Sequence, residues 1–219
     1  MNPTRPLSVE QLVWAHGIFR RYAAVSYWSL AGTYEEYVGW DVGVFAFLNG
    51  WQCRITRDTA TRRRIIARIH RVWDAISPET YHCDLFTFRD LPKRVFEELS
   101  DIAWTHANGR HRTLGPTATA KILHLLRPDV FVMWDAAIRD YYGVEGNAEG
   151  YSDFQEMMTS LAVSLFEAIQ IEPRSGVERP EGAICRALAC EHPQPITMTK
   201  LLDEYNWLAI TNEVHFSTR

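Results

Sequence analysis

The segment DTATRRRIIARIHRVWDAIS, residues 58–77, constrains the fold most. Ile65, Ile66, Ile69, Val72, Trp73 and Ile76 recur at helical spacing, and Arg64, Arg68 and Arg71 fall on another face. That pattern predicts an amphipathic helix ended by Ser77-Pro78. The same period recurs elsewhere. Residues 8–24 read as a helix capped by Ser8, with Leu12, Val13, Ala15, Ile18, Phe19 and Tyr22 at helical spacing. Residues 91–106, 116–126 and 151–171 read as further helices, the second stopping before Pro128 and the last turning Phe154, Met158, Leu161, Leu165, Phe166 and Ile169 inward. GRHRTLGPT reads as a turn, residues 173–182 as a loop, and the end of the chain as short helices. No stretch carries a strong alternation of the kind a half-buried strand needs. The expected fold class is all-α.

With 219 residues, 47% of them hydrophobic, the chain can fill one substantial core or two small lobes that share one. Charged residues at 23% and aromatic residues at 12% exclude general disorder. No apolar run approaches the roughly 20 residues that span a bilayer. The start, MNPTRPLSVEQ, lacks the apolar stretch of a secretory signal, so a cytoplasmic location with no membrane partner is expected. Cys53, Cys83, Cys185 and Cys190 form neither a disulfide framework nor a CxxC pattern, and the histidines show no metal-ligand spacing. No metal or cofactor is expected.

The formal net charge of −4 hides a strong polarity. Residues 52–72 hold seven arginines against one aspartate, while residues 140–219 hold five basic against thirteen acidic residues. Opposite fields on opposite faces follow from such a division. Lysine is scarce, and arginine suits bidentate phosphate contacts. A preference of the genome for arginine codons explains the same bias equally well.

The informative constellation is TLGPTATAKILHLLRPDVFVMWDAAIRDYYG. Gly115 permits a turn at positive φ, and Pro116 suits a first helical position. Free N–H groups at that helix start can hold a phosphate oxygen without reading sequence. Asp135 follows an apolar approach, VFVMW, and opens the next helix, where the dipole favours a carboxylate. A carboxylate at least partly buried needs partners, which marks Asp135 as a functional candidate as well as a helix cap.

From Leu91 to Tyr141 the order helix, glycine-containing turn, helix, apolar segment, Asp resembles the helix-hairpin-helix superfamily of DNA glycosylases. In that superfamily the hairpin grips the DNA backbone and the Asp acts at the sugar of a flipped nucleotide. The resemblance implies a helix-hairpin-helix motif near residues 93–126 and a catalytic Asp135. It differs from the family pattern in having one glycine in TLGPT, in Trp134 where a small apolar residue is usual, and in lacking the cysteine cluster that holds iron–sulfur in some members. The catalytic lysine of strand-cleaving members stands 18 residues before the Asp, and here that position is Thr117. The resemblance thus implies a monofunctional glycosylase that leaves an abasic site uncut.

The expected DNA-binding residues are Arg110, Arg112, Thr113, Gly115, Thr117 and Lys121, with Arg64 and Arg68 extending the footprint. Thr117, Lys121 and His124 share one helical stripe, which faces either DNA or solvent. Tyr34, Trp40, Glu35, Asp41 and Trp134 are the candidates for a base pocket, because flipped bases are read between aromatic faces and by polar groups. Two helical lobes with a cleft between them are expected within one globular unit, about 80–140 in one lobe and 1–79 with 141–219 in the other. The expected partner is double-stranded DNA carrying a modified base, bound by a monomer. The base is either an ordinary damaged one, in repair, or a hypermodified one such as glucosylated hydroxymethylcytosine, in defence against phage. The competing readings are a non-catalytic helix-hairpin-helix DNA-binding module and a helical partner-binding protein.

Overall fold

A computed structural model of the chain describes residues 7–22, 40–80, 84–88, 90–105, 109–168, 196–214 and 216. It is mostly helical. In chain order come α1 (Val9–Tyr22), α2 (Trp40–Gly50), α3 (Thr59–Thr80), α4 (Leu91–Ser100), β1 (Ala103–Thr105), β2 (His111–Thr113), α5 (Gly115–Leu126), α6 (Ala136–Tyr142), α7 (Ala148–Ala168), α8 (Met198–Asn206) and a π-helical turn (Trp207–Thr211). No helix among the described residues is long and apolar enough to cross a membrane.

Local chemistry sets the helix starts. The Ser8 hydroxyl accepts from the Gln11 N–H at 3.3 Å, and the Gln11 side chain accepts from the Ser8 N–H at 2.9 Å, a reciprocal capping box. The Asp58 carboxylate accepts from the Thr61 N–H at 2.7 Å ahead of α3. That helix continues to Thr80 instead of stopping at Ser77-Pro78. A proline so close to the end removes a single ladder bond and leaves the body of the helix intact.

A larger difference follows α4. The helix expected over residues 91–106 ends at Ser100, and Ala103–Thr105 becomes a strand. It pairs antiparallel with His111–Thr113, Trp104 opposite Arg112, and the Leu114 N–H donates to the Ile102 carbonyl at 3.0 Å. Strand pairing satisfies the backbone here, and it buries Trp104 while its neighbours stay exposed. The residues read as a plain turn therefore include half of a short β-hairpin.

Helix α5 runs through the middle of the molecule: every residue from Ala118 to Leu126 is buried. A helix apolar all round belongs in a core. The segment after it, Val130–Trp134, is buried without regular structure. The backbone of Val132 at its middle is satisfied by side chains from α7. Gln155 accepts from the Val132 N–H at 3.0 Å and donates to the Val132 carbonyl at 2.9 Å, and the Tyr151 hydroxyl donates to the same carbonyl at 3.1 Å. This clamp delivers the chain to Asp135 in a fixed position.

One continuous apolar cluster extends from Leu7 to Leu202 and draws on both expected lobes, 80–140 and 1–79 with 141–219. A smaller cluster of Ala15, Phe19 and Leu208 joins α1 to the π turn. Helix α1 also meets α8 through a buried pair, His16 Nδ1 to Glu204 Oε2 at 2.8 Å.

His124, expected on a DNA-facing or solvated stripe, is wholly buried in this core, with Nδ1 2.6 Å from the Phe131 carbonyl. The apolar surroundings of α5 leave no room for a solvated face. Burial lowers its imidazole to about 4 from near 6.5, with Asp203 opposing the shift. A histidine held neutral binds its proton more readily when unfolded. Its contribution to stability is complete above about pH 6.5 and is lost as the pH falls toward 4. Urea unfolding of the wild type and of His124→Gln, compared between pH 7 and 4, should differ by a slope worth on the order of 3 kcal/mol. Glu204, whose carboxyl burial raises, acts in the opposite sense and is common to both proteins. Parallel pH profiles would contradict the assignment to His124.

Candidate nucleic-acid interface and active site

Asp135 occupies the junction between the clamped segment and α6. Its Oδ1 accepts from the Ile138 N–H at 3.0 Å, capping α6, and its Oδ2 accepts from the Thr211 hydroxyl at 2.7 Å. Both carboxylate oxygens are thus oriented, one by local sequence and one by a residue 76 positions away. Thr211 ends the π turn, a distortion that often marks functional positions.

Asp135 lines an open cavity of about 670 Å³ together with Thr117, Lys121, Trp51, Trp207 and Thr211. Lys121 donates to the Trp51 carbonyl at 3.2 Å, and its ammonium lies 5.3 Å from the centre of the Trp51 ring. Trp51 and Trp207 meet edge to face, and Phe19 backs both rings. Burial pushes the nearby Cys53 thiol up, and the Lys121 charge opposes that shift.

A second open cavity, of about 870 Å³, shares Gln52 and Thr117 with the first. The hairpin and the start of α5 form one side of it, and the loop after α2 contributes Cys53 and Arg54. Among the described residues its charged lining consists of Arg54, Arg112 and Arg139, with His111 beside them and no carboxylate. Gly115 opens α5 at φ +73°, and Leu114 at the N-cap provides no side-chain cap among the described residues. Uncapped N–H groups at a helix start favour an anion. Arg139 donates to the Thr117 hydroxyl at 3.2 Å and stacks 5.4 Å from the centre of the Trp134 ring. Partial burial lowers its guanidinium from the usual value, with Asp140 and Asp135 opposing. Gln52 and Arg54 adopt φ of +62° and +53°. Left-handed backbone at two non-glycine residues is costly and gathers at ligand-binding loops.

The sequence-derived site residues divide accordingly. Thr117, Lys121 and Asp135 share the first cavity, and Arg112, Thr113, Gly115 and Thr117 share the second. Arg110 is exposed just ahead of β2. Arg64 and Arg68 lie apart from both, in a groove between α3 and α4 that also holds Glu97, Glu98 and Asp101. Arg68 is paired with Glu98. These acidic neighbours counter the basic footprint expected there, because they repel the phosphates the arginines would attract.

Trp134, expected in the base pocket, is a core residue. It is 1% exposed, is surrounded by Phe96, Tyr151 and Phe154, and donates from Nε1 to the Pro116 carbonyl at 3.1 Å. Its ring faces are already occupied by protein. Tyr34 and Glu35 lie outside the described residues, and Trp40 and Asp41 begin α2 in a part whose side chains are likewise outside them.

Gln52, Arg54, Thr211 and Asn212 were not singled out by sequence reasoning. Arg139 carries a local signal, one turn after the cap, but Thr211 carries none. Among the described residues no group of three or more His, Cys, Asp or Glu side chains is placed to hold a metal ion. No family model, curated protein or solved structure matches this chain.

Proposed function

We propose that this protein is a DNA glycosylase that flips a modified base out of duplex DNA and hydrolyses its N-glycosidic bond. The observation that carries the proposal is the adjacency of two cavities that share Gln52 and Thr117 in their walls. One holds Asp135 with Lys121 and Thr117, and the other is lined by Arg54, Arg112 and Arg139 at an uncapped helix start. On this proposal α4, the β-hairpin and α5 act as the helix-hairpin-helix element. The groove takes the phosphate backbone, and the Asp135 cavity takes the extruded nucleotide. Asp135 stabilises positive charge developing at the sugar, as carboxylates do at O-glycosides. Thr117 cannot form an imine with C1′, so water completes the reaction and an abasic site remains.

Incubation with duplexes carrying damaged or phage-type hypermodified bases, followed by alkali, tests the proposal. Alkali-dependent strand breaks are expected in at least one duplex, and their absence throughout would refute it. The cap that Asp135 provides to α6 also supports a second reading, a non-catalytic DNA-binding module. Such a module would bind duplex DNA and release no base.

The groove makes a separate prediction. Arg54→Ala and Arg112→Ala should weaken binding to all duplex sequences alike. Each should also reduce the slope of log affinity against log salt by about 0.9. Salt titrations by fluorescence anisotropy measure this, and a loss confined to one sequence would contradict a backbone role.

A further inference from the structure

Two buried lysines are present among the described residues, and they differ in one respect. Lys200 lies between carboxylates, 2.6 Å from Asp203 and 3.8 Å from Glu204. Lys121 is 7% exposed yet makes no ion pair among the described residues. Burying a charge without a counter-charge is expensive. The Trp51 carbonyl takes one of its three N–H donors, and the Trp51 ring holds the ammonium in place. Lys121 stands in the wall of the cavity that contains Asp135. Among the described residues, Lys121 and Asp135 are the only charged ones lining that cavity.

Cleavage of an N-glycosidic bond separates charge in a matching way. The C1′–N bond breaks with both electrons going to the base nitrogen, which leaves positive charge on the sugar and negative charge on the base. We infer, on the basis of the glycosylase proposal, that Lys121 is a catalytic residue whose ammonium hydrogen-bonds to the departing base and stabilises its negative charge. Water then adds its oxygen to C1′. One water proton leaves by way of Asp135 and solvent, and the base nitrogen gains one proton, so the sum is hydrolysis. A fixed cation aimed where charge develops costs no reorganisation during the reaction.

The dependence on leaving group tests this. Single-turnover rates at saturating duplex are measured for the wild type, Lys121→Gln and Lys121→Arg. The substrates run from poor leaving groups, such as cytosine-derived bases including glucosylated 5-hydroxymethylcytosine, to good ones, such as 5-fluorouracil and 7-methylguanine. Lys121→Gln should slow release of poor leaving groups by roughly a hundredfold and of good ones much less, and Lys121→Arg should restore most of the rate. If only one base is released, recovery in Lys121→Arg but not in Lys121→Gln supports the role, and equal loss in both overturns it. Equal loss across all leaving groups overturns it too. So does weaker binding with a smaller salt slope and an unchanged saturated rate, which would make Lys121 a phosphate contact. A borohydride-trapped adduct that disappears in Lys121→Gln would make it the nucleophile instead. If the wild type releases no base from any duplex, the glycosylase proposal itself fails, and the role of Lys121 with it.

Discussion

Asp135→Asn should bind duplex DNA as the wild type does and release its base at least roughly a hundredfold more slowly. The substitution keeps the shape of the side chain. Its amide oxygen can still accept from the Ile138 N–H and cap α6, and the Thr211 hydroxyl can turn to accept from the new NH₂ group. What is lost is the negative charge that, on the proposed mechanism, faces the sugar. Asp135→Ala removes the cap as well, which costs about 1 kcal/mol of stability. Comparing the two variants by single-turnover kinetics and thermal unfolding separates catalysis from capping. Full activity in a well-folded Asp135→Asn would eliminate the glycosylase mechanism and leave the binding module.

Trp134→Ala should be among the most destabilising single changes, at about 3–5 kcal/mol. The indole is enclosed by Phe96, Tyr151 and Phe154, and its N–H is satisfied by the Pro116 carbonyl. Truncation leaves a large void and an orphaned acceptor beside the start of α5. For a chain of this length the melting temperature should fall by on the order of 10 °C. A base-pocket tryptophan would behave in the opposite way, with activity lost and stability nearly unchanged. Differential scanning calorimetry beside an activity assay distinguishes the two outcomes.

Much of the helical framework was legible because it follows periodicity. The stripe from Ile65 to Val72 is buried, as its spacing requires, and the Ser8 cap forms. The β-hairpin was not legible. Its strands are three residues each, too short to show alternation, and their pairing is stabilised across the turn instead of within either segment. The burial of α5 was legible only in part. Ile122, Leu123, Leu125 and Leu126 announce it, but Lys121 and His124 are buried through contacts with Trp51 and Phe131 that local sequence cannot express. The surroundings of Asp135 show the same division. Its cap to Ile138 is a short-range pattern, whereas Thr211 reaches it only because α8 and the π turn bring the end of the described chain alongside α6.

The hydrogen bond from Thr211 also ties the cavity to the π turn. Trp51, Lys121, Asp135 and Thr211 come from four separate stretches of chain, and the π turn that supplies the last of them is a five-residue element in which Leu208 alone is buried. Local opening of an element with so few buried side chains requires far less free energy than global unfolding. Partial release of this turn would disorient the carboxylate while leaving α3, α5 and α7 intact. On the glycosylase proposal, mild denaturation would then abolish turnover before the circular dichroism of the helices changed, making the reaction a more sensitive reporter of the docking of this turn than any measure of total helix.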